Sequence, residues 1–273
     1  MKKCMIVFSL FAATATAAPV VSDVAVSVDA VNRTTAVTYK LSEAAVVTFD
    51  VRTNGVSIGG VYLQGTVGDV NRRLSAGEKK LTWCWPKGAD GVALTAGATA
   101  TVTAWPLDNL PDYIVCDFSE NNTLSFYANA ESIPGGIQDD RYKTDCFVLR
   151  RIPAKGVVWK MGSPDGESGR VANAETRHLV TFTNDYYMAI FELTQKQHEL
   201  LTGVTAENPT FPSSAPSWAS LRGKLGWTNE YGTTASKKAS LYQQAWPYTA
   251  RVEEGSIVDV LMKKPDWSGF LPS

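Results

Sequence analysis

Cysteine and histidine are scarce in this chain. Among 273 residues there are four of the first and two of the second, and no two cysteines stand in a CxxC spacing. A structural zinc site takes Cys and His ligands at short, regular intervals, so no zinc site and no dithiol redox motif is expected. Neither sign of charge is in excess: 26 Lys and Arg stand against 27 Asp and Glu. Nucleic acid is held by clustered cations and is therefore not an expected partner. No run of like charge marks an interaction tail. No apolar stretch approaches the roughly 20 residues that span a bilayer, so no transmembrane segment is expected.

What is present begins with a leader. Lys2 and Lys3 precede an apolar run from Met5 to Ala13, and Ala15-Thr16-Ala17 fits a small-x-small cleavage site. Residues 1–17 are read as a signal peptide, cut after Ala17, for a secreted, periplasmic or cell-surface protein. Cys4 has no small-residue cleavage site before it, so a lipid-modified N-terminus is not expected. Export leaves Cys84, Cys116 and Cys146. An oxidising compartment permits one disulfide and a spare thiol. Cys84 and Cys116 could meet across a β-sandwich; alternatively, all three are small buried apolar residues.

From residue 20 to about 130 the texture is β. Val24–Val28, Thr35–Leu41, Ala45–Val51, Lys80–Trp85 and Ala98–Trp105 alternate with a period of two,. Val47, Phe49 and Val51 fall on one face. Asn54-Gly55, Gly59-Gly60, Ala76-Gly77 and Asp90-Gly91 supply the breaks,. About seven short strands over ~100 residues predict an immunoglobulin-like or fibronectin-like sandwich. The strand after Leu41-Ser42-Glu43, the Ala76-Gly77-Glu78 turn into Thr82-Trp83, and the return through Asp90-Gly91 and Ala96-Gly97 resemble the immunoglobulin-like module of flagellar hook-capping proteins, over about residues 22–106. That resemblance implies a spacer or binding module.

Residues 131–146, polar and carrying Pro134-Gly135-Gly136, read as a linker or an edge connection,. Beyond them, strands are expected at Phe147–Leu149, Val157–Met161, His178–Phe182 and Tyr186–Phe191. Thr194-x-x-Gln197 is a capping box and Gly203 a left-handed stop, which predicts a helix over Gln195–Thr202 with Leu200 or Leu201 inward. A second helix is expected over Ser256–Lys264. The loop from Ser163 to Asn173, with Asp165, Glu167 and the nearby Glu175, could hold Ca²⁺ or be a solvated surface loop without EF-hand spacing. His178, His198 and Glu192 are read as structural before catalytic. Trp227, Tyr231, Tyr242, Trp246 and Tyr248 could stack on sugars, line a peptide groove, or fill the core of an irregular domain.

The order Ile152-Pro153-Ala154-x-Gly156, the Met161-Gly162-Ser163 turn, the aromatic strand at Tyr186 and the Glu192-Leu193-Thr194 helix start resembles the opening of the formylglycine-generating enzyme, or sulfatase-modifying factor, family. The match is good over 147–203 and looser over 216–223 and 256–273. It implies an irregular α+β domain of C-type-lectin-like type over residues 147–273. That domain is expected to be incomplete at Ser273, where the family is about half finished. Active relatives use copper and O₂ to oxidise a protein cysteine and can bind calcium, with their copper-binding cysteine pair in the C-terminal half. No position here corresponds to that pair, so no catalytic, cofactor-binding or metal residue is carried over.

Three functions remain open: an exported, truncated or catalytically silent relative that binds or displays a protein or glycan ligand; the N-terminal part of a copper-dependent oxidase; and a carbohydrate-binding adhesion protein. The first is taken forward.

Overall fold

The computed structural model describes residues 18–89, 98–119, 122–171 and 174–213. The described chain is mostly β, arranged in several antiparallel sheets. The first sheet orders β1 (Val21–Asp29), β2 (Thr34–Leu41), β7 (Gly77–Cys84) and β5 (Thr66–Gly68). In the second, β3 (Ala45–Thr53) pairs along one edge with β8 (Ala98–Trp105) and along the other with β6 (Arg72–Leu74) near its start and β4 (Val56–Ser57) at its end. Alternation decides what each sheet buries. Val37, Tyr39 and Leu41 of β2 and Leu81 and Trp83 of β7 meet Val47, Phe49 and Val51 of β3 in one core. Each such side chain contributes roughly 1.5–3 kcal/mol on burial. Trp83 also donates its indole N–H to the Tyr62 carbonyl at 2.7 Å, which satisfies the one polar atom that side chain carries into the core.

The Asn54-Gly55 dipeptide makes the turn from β3 to β4, with φ of 53° and 80°. Both central residues of a tight hairpin turn need this left-handed backbone, and Asn and Gly take it readily.

A third sheet orders β10 (Thr123–Tyr127), β9 (Tyr113–Asp117), β11 (Cys146–Ile152) and β14 (Tyr186–Ala189). Its pairing crosses the boundary expected at residues 130–147. β9 and β10, which fall within the residues 20–130 read as one β domain, hydrogen-bond to each other, and β9 pairs with β11 in a register that sets Cys116 against Phe147. The residues read as a linker carry two 3₁₀ turns, Ala130–Ser132 and Asp140–Lys143, and bury Ile133 and Tyr142 completely. A polar composition concealed this packing because two apolar side chains are enough to anchor a short segment.

β3 joins the layers. Seven consecutive residues, Ala45–Val51, are buried. Val47, Phe49 and Val51 face the sandwich core, while Val46 packs with Ile114, Cys116, Phe118 and Phe126 of the third sheet. Asn71 reinforces the junction from a left-handed conformation (φ 55°). Its N–H donates to Val47 O at 2.7 Å, and its carbonyl accepts from Phe126 N–H at 2.8 Å. A short helical turn, α1 (Gly60–Leu63), meets the first 3₁₀ turn so closely that a Cβ on Gly60 would lie 1.8 Å from Ile133 O.

β12 (Val158–Met161) and β13 (His178–Thr181) form a separate two-stranded ribbon. The helix α2 (Gln195–Thr202) has the expected bounds, with both halves of the capping box made and Gly203 at φ 76°. Leu201 is buried, and Leu200 packs beside the third-sheet core. Among the described residues, no helix is long and apolar enough to cross a membrane.

Candidate functional site

A recess borders the first sheet, a cavity of about 510 Å³ lined by residues that include Asp23, Tyr39, Lys40, Asp69, Glu78 and Lys80. Its wall is built from neighbouring strands: Lys40 stands opposite Glu78 and Thr38 opposite Lys80 in the β2–β7 register. Asp23 enters where the β1–β2 register shifts, held at φ 52°. Asp69 is the fixed end. Its N–H donates to Lys80 O at 2.9 Å, and its carboxylate accepts Lys80 N–H at 3.1 Å and an Arg72 guanidinium N–H at 3.0 Å. The Tyr39 hydroxyl donates to the Asp69 carbonyl. Burial, then the nearby Asp69 charge, pushes that phenol well above its ordinary range. Among the described residues, no ion pair engages Lys40 or Lys80. The recess therefore sets the unpaired Lys40 and Lys80 among three carboxylates, Asp23, Asp69 and Glu78, an arrangement that can hold a polar ligand.

The calcium-candidate loop is closed from within. Ser163 N–H donates to Glu175 O at 3.1 Å and its hydroxyl to the Glu175 carboxylate at 2.8 Å. Arg170 pairs with Asp165 at 3.2 Å and donates to Ser163 O at 3.2 Å. Gly162 (φ 97°) is required where the loop leaves β12, because a Cβ there would sit 2.7 Å from Thr176 O. Asp165 and Glu175 thus turn to different partners. Among the described residues, no three His, Cys, Asp or Glu side chains converge.

His178 is exposed on β13, its Nδ1 2.9 Å from Thr176 O. His198 is half-buried in α2 and Glu192 is exposed, and among the described residues no hydrogen bond joins either to a nucleophile. The buried polar side chain of α2 is instead Gln197, 1% exposed. Its Nε2 donates to Cys146 O at 2.7 Å and Tyr142 O at 3.1 Å, while its Oε1 accepts Thr194 N–H at 3.0 Å. Thr194 Oγ1 donates to Lys143 O at 2.6 Å. The capping-box spacing identified both residues, but not their reach across more than fifty positions of sequence.

The three described cysteines are free. The Cys84–Cys116 contact allowed for above is not made: Cys84 is exposed at the end of β7, and Cys116 is buried in β9 of a different sheet. Cys116 and Cys146 lie on paired strands but enter different cores on the two sides of the sheet. Burial pushes both thiols up, Cys146 to about 12. These thiols do not fit a copper-binding pair, which needs two accessible thiolates converging on one ion.

The aromatic candidates Trp227, Tyr231, Tyr242, Trp246 and Tyr248, and the helix expected at Ser256–Lys264, lie outside the described residues. The described chain has an aromatic row of its own: Trp159 and Phe182 stack at 6.3 Å, and Tyr186 lies 5.4 Å beyond Phe182. No protein-family profile, curated protein or solved structure matches the chain.

Proposed function

We propose that this is an exported binding or display protein, in which an immunoglobulin-like module carries a catalytically silent domain of sulfatase-modifying-factor type, and that it takes a protein or glycan ligand. The observation carrying this reading is the recess rimmed by Lys40 and Lys80 and pinned by Asp69. It is open and polar, set on a sheet stiffened by two further layers. Charge-assisted hydrogen bonds from free lysines suit carboxylates of an acidic glycan or a protein loop. The leader-like N-terminus supports export, and the misfit of Cys84, Cys116 and Cys146 to a copper pair supports a non-oxidative role for these residues.

The test is binding of the mature chain to an array of neutral and acidic glycans, repeated with Lys40→Ala/Lys80→Ala. Retention of acidic glycans, weakened on the order of tenfold in the double variant, is expected. Indifference of every array spot to the protein, or turnover of a cysteine peptide with copper and O₂, defeats the reading.

A further inference from the structure

Strand β8 ends the second sheet without protection. Among the described residues it pairs with β3 alone. Strand geometry turns the N–H and C=O groups of alternate residues away from that partner, so a row of backbone donors and acceptors faces outward. Natural edges are blunted by charge, proline or a bulge. β1, the edge of the first sheet, has two of these: it contains Asp23 and Asp29, and its register with β2 is broken between Ser22 and Ala25. β8 has no charge and no proline, and its register with β3 runs unbroken from Ala98 to Trp105. No residue of β8 is buried, although β3 beside it buries seven in succession.

Its two faces are uniform. Ala100, Val102 and Ala104 pack toward the sandwich core, and Thr99, Thr101 and Thr103 alternate onto the outer face,. Such a strand is its own complement. Paired antiparallel with a second copy about Thr101, it sets Thr99 opposite Thr103 on the outer face and Ala100 opposite Val102 on the inner one. Cross-strand threonines attract, and no like charges confront each other. β1 fails the same test, because pairing about Val26 sets Asp23 against Asp29. A second observation points to the same edge. Val26 and Val28 of β1 lie opposite the buried Val37 and Thr35 of β2, on the inward face, yet each is 50% exposed. β1 and β8 approach each other along this open side of the sandwich. A strand added to β8 extends the second sheet beneath that overhang.

We propose that β8 is a homodimerisation edge, at which two copies of this chain pair β8 to β8, antiparallel across a two-fold axis, into one continuous sheet. Backbone hydrogen bonds supply the attraction, the threonines keep the faces in register, and Val26 and Val28 gain an apolar cover. The contact is isologous and therefore closes at two. It lies on the second sheet, whereas the recess with Lys40 and Lys80 borders the first, so it stands or falls apart from the ligand reading.

Sedimentation velocity of the mature full-length chain tests it, over roughly three decades of concentration. Reducing conditions keep the exposed Cys84 from linking copies. A monomer–dimer equilibrium that goes no further is expected, with amide hydrogen exchange in β8 slowing as the dimer forms. Thr101→Lys sets two cations against each other at the axis, and Thr101→Glu two carboxylates. Each variant is expected to weaken the dimer on the order of tenfold, and an equimolar mixture of the two to recover it as a heterodimer. Thr101 is exposed, so both variants keep the natural far-ultraviolet circular dichroism. A natural chain that stays monomeric at every concentration overturns the proposal without recourse to any variant. So does assembly beyond two, or a dimer whose β8 exchanges as fast as the monomer's. A dimer indifferent to both substitutions, or weakened variants that fail to pair when mixed, overturns it as well.

Discussion

At the scale of single residues, Gln197 carries the sharpest consequence. A buried amide with three protein partners cannot be shortened without leaving donors and acceptors dry, and each stranded group costs about 1–3 kcal/mol. Gln197→Ala is expected to destabilise by at least about 3 kcal/mol in chemical denaturation, against about 1 kcal/mol for an ordinary cap loss. A loss no larger than the cap value would show that Cys146 O and Tyr142 O find other donors. The cysteines give a second test. Burial holds the Cys116 and Cys146 thiols protonated, whereas Cys84 is exposed. Of these three, only Cys84 is expected to react with a thiol reagent before denaturation, and modified peptides identify which did.

The residue scale also sets the pH limits. The Lys155 N–H, then the Arg151 guanidinium, holds the Asp185 carboxyl below its ordinary value of 3.8. The folded state therefore favours the charged form, and the contribution is present above pH 3.8 and disappears as pH falls through the lowered value. At the alkaline end, burial pushes the Tyr142 and Tyr187 phenols up to about 12 from 10.0. There the unfolded chain releases protons first, so stability falls as pH rises from 10 toward 12. Melting temperature followed across pH should decline at both ends. Asp185→Asn should flatten the acidic limb, and Tyr187→Phe should soften the alkaline one.

At the scale of elements, the strands of the sandwich and the helix after Thr194 were legible because their determinants are local. Period-two alternation needs no partner to be recognised, and a capping box lies within four residues. The destinations of elements were not legible. The sequence Ala45–Val51 reads as a one-sided strand, yet Thr48 and Asp50 on its other face are buried too. Trp105 satisfies Thr48 through its indole N–H at 2.9 Å, and Ser57 and Arg52 satisfy Asp50 at 2.7 and 2.9 Å. Polar residues supplied with partners in this way look, in sequence, like a wet face. The recess was missed altogether, because Asp23, Lys40, Asp69 and Lys80 come from four separate stretches with no shared pattern. Gly60 offers an element-scale test. Alanine there drives a methyl into Ile133 O, and overpacking of backbone on backbone is expected to cost about 1–3 kcal/mol,. Gly55→Ala, in open space but at φ 80°, separates steric crowding from turn strain when both are melted side by side.

For the whole molecule, three layers meeting on β3 imply that the first, second and third sheets unfold as one cooperative unit. Thermal unfolding monitored by backbone circular dichroism and by tryptophan fluorescence should give coincident transitions. Val46→Asp buries an unpaired charge between the second and third sheets, and is expected to split that single transition or abolish folding. Coincident curves for Val46→Asp at nearly the natural midpoint would mean that the sheets are only loosely apposed.

The shared strand also bears on how such a protein can be rearranged. A module whose inner and outer faces both belong to neighbours cannot be shuffled between genes as a free-standing cassette. Excision after Trp105 would bare the lining that Ile114 and Phe126 now occupy. Recombination, natural or engineered, is therefore constrained to carry the first strand pair of the following sheet along with the first two sheets, and the inheritable block is longer than those two sheets alone.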